Sequence, residues 1–250
     1  MPRLLLETTL PLAAALLASL AAQPVAAATL DIDLLAVSQQ RNVVQIPNSA
    51  QGTRFSLVDV LGSDAEAAAR VTLVVGGFGA GQQWRFIAAP FSLEGDGTLA
   101  TPVDFNGTRF AAGPVRASYT FNSYRATYRW PLLQTPNWTW HAGLTAKVRD
   151  AEIALRQGAL AASKKNTGVV PLLHLAAEGQ HGNWRFSFDG DALASGQGRA
   201  IDIGLRGGYA LTPSLTVFAG LRVIEGGSDN DEVYNFAQLN QASIGLRASF

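Results

Sequence analysis

From residue 30 to the end of the chain the apolar positions recur with period two, the period of a β-strand whose side chains alternate between two faces. Trp184, Phe186 and Phe188 alternate with Arg185, Ser187, Asp189 and Asp191, which gives one oily and one charged face. Ile201, Ile203, Leu205, Gly207, Tyr209 and Leu211 alternate with Asp202, Gly204, Arg206 and Gly208, and Leu215 to Val223 repeats the pattern. At the end, Ile244, Leu246, Ala248 and Phe250 oppose Ser243, Gly245, Arg247 and Ser249. The pattern predicts ten strands, near 30–38, 67–78, 83–94, 114–131, 137–156, 167–178, 183–193, 199–211, 214–226 and 239–250. Two of them change phase: Val115, Ala117, Tyr119 and Phe121 share a face, then Tyr124, Ala126, Tyr128 and Trp130 do, and the next strand shifts near Arg149 to Ala151. Paired β-bulges, or strands that run past a membrane and re-aim their outer halves, both account for such shifts.

Alternation alone fits a soluble sandwich as well as a membrane barrel. The connections separate them. They are tight at residues 79–81, 136–137, 179–182 and 212–213, and long at 39–66, 95–113, 157–166 and 227–238. Short periplasmic turns alternating with long outer loops mark an outer-membrane barrel. All five tryptophans, Trp84, Trp130, Trp138, Trp140 and Trp184, fall beside the short turns, where a periplasmic aromatic girdle meets the interface. The chain ends on Phe250 in an amphipathic strand, read as an assembly signal for the barrel-assembly machinery, with an ordinary edge strand as the alternative. The fold expected is an all-β, transmembrane, antiparallel up-and-down barrel of ten strands with both termini periplasmic. Eight strands is the alternative, if residues 30–78 form a plug or lie outside the wall.

Composition sharpens this picture. Arg3 precedes the small, apolar run Leu10 to Ala22, which ends in Pro24-Val25-Ala26-Ala27-Ala28, so residues 1–28 are expected to be a cleaved signal peptide and 29–250 the barrel. No later segment has the roughly 18 apolar residues of a transmembrane helix. Hydrophobic residues make up 48% and charged residues 15%, more apolar than most soluble domains and suited to a surface in lipid. Lys+Arg and Asp+Glu are equal at 19 each, which argues against a nucleic-acid footprint. The absence of cysteine removes disulfides, thiolate metal sites and cysteine nucleophiles.

The stretches Phe121-Asn122-Ser123-Tyr124-Arg125, Thr145 to Ile153, Val170-Pro171-Leu172-Leu173-His174 and Glu225-Gly226-Gly227 resemble a family of bacterial outer-membrane β-barrel proteins to which no activity is attached. More distantly the chain is similar to small barrels of the OmpA and OmpW kind. The resemblance implies an outer-membrane location and barrel architecture, and no chemistry.

On the barrel reading the lumen collects Arg116, Arg125, Arg129, Lys147, Arg149, Asp150, Glu152, Arg185, Asp189, Asp191, Asp202, Arg206, Arg222, Glu225 and Arg247. These charges either pair into a structural network that fills the interior or line a narrow channel or binding cavity. An open pore with this excess of basic residues would weakly prefer anions. Rim catalysis requires a base, usually histidine. His141 and His181 fall near periplasmic ends, and His174 lies within a strand, where Ser187 or Asp189 on the neighbouring strand is the one constellation to test. No catalytic residue is assigned. The acidic loop from Glu225 to Glu232 departs from the EF-hand pattern, so a solvated loop is expected, with no metal and no cofactor. Gly76 to Gly81 reads as a turn, without phosphate-loop spacing. The leading expectation is a monomeric, non-enzymatic narrow channel or binding protein whose partner is outer-membrane lipid. A lipid- or peptide-modifying enzyme, and a structural or adhesive barrel acting through loops 95–113 and 227–238, are the alternatives.

Overall fold

The computed structural model describes residues 28–250, so all but the last residue of the expected signal peptide lies outside it. The chain runs through β1 (Thr29–Gln45), β2 (Phe55–Ser56), α1 (Leu57–Leu61), β3 (Glu66–Gly76), β4 (Gln83–Ala89) and β5 (Ser92–Leu99). A hairpin of β6 (Val103–Phe105) and β7 (Thr108–Phe110) follows, then β8 (Gly113–Gln134), β9 (Trp138–Gln157) and β10 (Leu160–His181). Last come β11 (Trp184–Ser195), β12 (Gly198–Thr212), β13 (Leu215–Asp229) and β14 (Tyr234–Ser249).

Each wall strand pairs antiparallel with its neighbour, and β14 returns to β1 from Thr29↔Ser249 to Gln45↔Tyr234, so the sheet closes. β4 and β5 both pair with β8 and together make one wall strand, interrupted where Pro90 removes a ladder donor. The wall therefore has ten strands. β1 and β3 both belong to it, which rules out the eight-stranded alternative. Among the described residues no helix is long and apolar enough to cross a membrane.

The phase change expected in β8 is not a bulge. Register with β9 is unbroken from Arg116↔Arg156 to Trp130↔Ala142, and slips only between Pro131 and Leu133. Val115, Ala117 and Tyr119 are buried on the same inner face as Ser123, Arg125, Thr127 and Arg129. What inverts is polarity. Below this crossover the strand turns Tyr124, Ala126, Tyr128 and Trp130 outward; above it, Arg116, Ser118, Thr120 and Asn122 face out. β9 inverts one rung away, from outward Leu144, Ala146 and Val148 to outward Asp150 and Glu152, and β1 changes inward residues from Asp31 and Asp33 to Leu35 and Val37. A surface is apolar where it meets lipid and polar where it meets water, so the crossover marks the outer membrane surface.

Strand length agrees with this reading. The 22 residues of β8 would extend about 70 Å at the usual rise, well beyond what a tilted strand needs to cross the apolar layer. Two expected long loops are instead strand extensions: the β9–β10 connection is only residues 158–159, and β13 and β14 meet at 230–233. Gly158 turns the first at φ +59°. The pattern reading ended these strands where outward residues became polar, although the backbone ladder continues.

The other two long connections fold over and into the upper barrel. Leu57, Phe105 and Phe110 are fully buried and join Leu35, Val37, Leu93, Tyr119, Leu155 and Leu239 in one apolar cluster. α1 starts at Ser56, whose hydroxyl accepts from the Asp59 amide. It sits against Gly97, where a Cβ would lie 1.9 Å from the Val60 carbonyl oxygen. The Gln39 side chain donates to Gly62 O at 2.7 Å, and the Asn106 amide to Ile46 O at 2.7 Å, tying both segments to the mouth.

At the opposite end the tryptophans stand on the outer face beside the short turns. Trp84 packs on Tyr128 with ring centroids 4.7 Å apart, and Trp184 meets Tyr209 at 5.3 Å. Trp130, Trp138, Trp140 and Trp184 are exposed to the surroundings. Trp138 lies across Gly179, where a Cβ would fall 2.6 Å from its indole.

Candidate functional site

In the membrane-level half, alternation brings charged side chains from every part of the wall to the axis. Arg125 on β8 donates to Asp191 on β11 at 2.8 Å and to Asp202 on β12. Arg222 on β13 binds Asp202 and, through one nitrogen, both oxygens of Asp189 at 2.7 Å. Arg85 approaches Asp189 at 3.4 Å, and Arg70 donates to Gln241. Nearer the short turns Arg206 spans Asp31 and Asp33 at 3.0 and 3.1 Å, Arg247 holds Asp31 at 2.7 Å, and Arg129 pairs with Glu178 at 2.8 Å. Arg125, Asp191, Asp202 and Arg222 expose no more than 5% of their side chains. Charges this enclosed are tolerated inside a barrel where each meets an opposite charge with good hydrogen-bond geometry.

Asp31, Asp33, Arg70, Arg85 and Glu178 were absent from the expected lumen set. Their signal was present: Asp31 and Asp33 alternate with Leu30, Ile32 and Leu34, and Arg85 lies between Trp84 and Phe86. Four expected lumen residues face outward above the crossover and correct that set. Arg116 pairs with Glu94 at 2.8 Å and lies 3.5 Å from Asp96 across the outer face of β5. Asp150 accepts from Thr167 at 2.7 Å, Glu152 shares its outward rung with Lys165, and Glu225 binds Arg199 at 2.8 Å and Arg41. Extending the lipid-facing rule past the membrane surface assigned them the wrong side. Arg185 points inward at the short-turn end and donates to the Gly182 and Trp184 carbonyls.

The outer charges respond to their partners. The hydrogen bond from Arg116 holds Glu94 below the usual carboxylate range, that from Thr167 does the same for Asp150, and that from Arg199 for Glu225. Carboxylates of the acidic loop are engaged apart from one another: Glu225 on Arg199, Asp229 on Asn48 at 2.9 Å, and Glu232 on Lys164 at 3.2 Å. Residues 76–82 form the expected turn, closed by the Gly77 amide on Gln82 O at 2.7 Å.

His174 does not meet Ser187 or Asp189. Its cross-strand neighbour is Asp191, 2.8 Å from Nδ1, and Ser187 pairs four residues further along with Glu178. Thr145 also donates to Asp191 at 2.8 Å, which makes that carboxylate the junction of Arg125, Thr145 and His174. His141 is buried near the short turns and His181 is exposed at the end of β10 beside one.

Two cavities flank the network. A vestibule of about 370 Å³ at the short-turn end is lined by Glu178, Arg185, Arg206 and Arg247. A chamber of about 450 Å³ lies above, lined by Phe121, Lys147, Arg149, Val170 and Ile224 among others. They share no lining residue, and the Arg125, Asp202 and Arg222 cluster stands between them.

No family model matches the chain, and no curated protein matches it. Among solved structures it is similar to the outer membrane protease OmpT from Escherichia coli, with a TM-score of 0.52 at 12% identity over 90% of this chain and 97% of that one. Weaker likenesses are to Ail, the attachment invasion locus protein of Yersinia pestis, with a TM-score of 0.39 at 9% identity over 91% of this chain and 100% of that one. Another is to the outer membrane protein OprG from Pseudomonas aeruginosa, with 0.38 at 10% over 90% and 96%. The fold is that of a bacterial outer-membrane β-barrel, and the apolar outer band and tryptophan-lined lower end place the chain in that membrane.

Proposed function

We propose that this outer-membrane barrel is a closed, non-enzymatic binding protein that works through its outer half. The observation that carries the reading is the interior filled at two successive levels. The charged network occupies the membrane-level half, and the apolar cluster with α1 and the β6–β7 hairpin occupies the outer half. Transport of ions requires a continuous wetted path, whereas the paired charges here satisfy one another and leave the chamber and the vestibule separate. The weak anion preference expected of an open lumen therefore has no path on which to act.

The enzyme alternative has less support. OmpT is a protease by name, but His174 is enclosed with Asp191 in the wall network and no substrate reaches its ring. The adhesive alternative loses residues 100–112, which pack Val103, Phe105 and Phe110 inward instead of displaying them. Liposome swelling tests the closed-barrel reading: vesicles carrying the mature protein should swell in arabinose no faster than empty vesicles. Swelling at porin-like rates would reject it.

A further inference from the structure

Above the charged network the wall is open on one side. β10 and β11 pair from His181↔Trp184 only as far as Leu173↔Ala192. From there residues 160–172 of β10 pair in the sheet with β9 alone, while β11 ends at Ser195 and turns into β12. Pro171 stands just past the point where the strands part, and proline has no N–H for a ladder. The gap leads into the 450 Å³ chamber, whose lining includes Val170 on the inner face of β10 together with Val169 and Pro171 on the outer face. The chamber thus reaches round the free edge to the outside of the barrel.

The level of this slot identifies its surroundings. Val169 and Leu173 are 69% and 63% exposed and belong to the apolar band, whereas the next outward residues, Thr167 and Lys165, are polar. The slot straddles the outer membrane surface. Inside, Phe121, Val170, Ile224 and Leu239 give the chamber an apolar side, and its charged lining is three cations, Lys147, Arg149 and Arg199, against one carboxylate, Glu225, which Arg199 and Arg41 already hold. Lys147 is 4% exposed and points into the chamber with its ammonium 4.9 Å from the Phe121 ring centroid. Among the described residues it makes no hydrogen bond or ion pair. One inward rung above, Arg149 carries a buried Nε that also has no partner. The rest of the Arg149 guanidinium donates to Asn166 Oδ1, so each cation keeps donor capacity that no carboxylate takes up, and an anionic oxygen in the chamber would accept from both.

We propose that the chamber binds a single-chain acyl amphiphile with an anionic oxygen headgroup, carboxylate or phosphate. Its head sits on Lys147 and Arg149, and its chain leaves through the β10–β11 gap into the outer leaflet. This rests on the reading of the barrel as a closed binding protein and names its ligand class. The volume falls in the usual range for small-molecule sites, and a lining that sets an apolar side against convergent charged groups is chemistry such sites use.

Calorimetric titration of the mature protein in phosphatidylcholine nanodiscs tests the proposal with four probes: sodium palmitate, hexadecyl phosphate, inorganic phosphate and hexadecyltrimethylammonium. Saturable one-to-one binding is expected for palmitate, hexadecyl phosphate or both, which tells carboxylate from phosphate, and for neither of the other two. Lys147→Gln should weaken binding about tenfold or more through loss of a charge-assisted hydrogen bond. Val170→Trp, which fills the chamber, should abolish binding, and both variants should keep heat-modifiable mobility. Arg149→Gln, nearer the opening, replaces Lys147→Gln if the latter fails to fold, with weakening in the same direction. The proposal fails if neither acyl anion saturates, if the charge variant binds as well as the parent, or if the cationic amphiphile binds equally. Inorganic phosphate binding as tightly as hexadecyl phosphate would also overturn it, as a free-anion site. None of these readings depends on solute flow, so their failure leaves the closed barrel standing.

Discussion

Nδ1 of His174 lies 2.8 Å from Oδ1 of Asp191, and neither side chain is exposed. The contact joins β10 to β11 in the last paired rungs below the gap, and the same carboxylate receives Arg125 and Thr145. Asp191 therefore holds three strands to the network at the level where the wall parts.

Removing this junction should cost more than removing any one of its neighbours. Asp191→Ala leaves Arg125 with Asp202 as its one carboxylate partner and exposes unpaired donors in a buried site, a loss of roughly 3–5 kcal/mol. The urea midpoint of the folded, heat-modifiable form in detergent should fall strongly for Asp191→Ala, and much less for Thr145→Val. Equal midpoints for the two would remove the central role assigned to the carboxylate.

The plug makes a separate prediction. Gly97→Val places side-chain atoms where the Val60 carbonyl sits, so α1 must leave its seat. Added protease should then cut intact cells' exposed protein within residues 46–65, which the parent protects, while the membrane-embedded fragment survives. A protected Gly97→Val would show that α1 packs without needing this glycine.

Most of the wall was legible because lipid and lumen impose opposite polarity on alternate residues, as in Trp184 to Asp191. The crossover was legible only as an ambiguity. Ser123 and Tyr124 follow Phe121 and Asn122 as a shift in apolar phase, and sequence alone does not say whether backbone or surroundings change. Arg116, Asp150, Glu152 and Glu225 were assigned to the wrong face for that reason. Asp31 and Asp33 were visible in alternation, but lie in the first strand, whose membership in the wall depended on a long-range pairing with β14. The Lys147 chamber had no local signal. It exists because β10 outruns β11, which depends on where two distant strands stop pairing.

The outer ion pairs give the barrel's outer half a pH dependence. Glu225 has its pKa lowered below its ordinary 4.5 by the hydrogen bond from Arg199. A carboxylate depressed in the folded state contributes stability above its ordinary value and loses it as pH falls through the folded value. Amide exchange at the top of β13 and β14 should therefore speed up as pH drops below 4.5, after correction for intrinsic rates. In Glu225→Gln that extra acceleration should be absent; an unchanged profile would dissociate the hairpin from this pair.

Phe250 adds the lowest rung to the β14–β1 seam. The Phe250 amide donates to Ala28 O at 2.9 Å and its carbonyl accepts from the Ala28 amide at 3.2 Å, while its ring is 68% exposed. We expect deletion of Phe250 to leave export intact and to reduce the heat-modifiable, membrane-inserted form several-fold, because the seam loses its lowest rung and the Ala28 backbone loses both its partners at the membrane boundary. Wild-type insertion levels would show that the terminal ring and rung are dispensable for assembly.

The closed interior is the central claim, and single-channel recording of the refolded mature protein in a planar bilayer tests it most directly. With insertion verified by protease protection, the protein should give no discrete conductance steps in molar salt under a salt gradient, because Arg125, Asp202 and Arg222 stand paired between the vestibule and the chamber. Reproducible steps with a defined reversal potential would contradict it and return the lumen to the role of a channel.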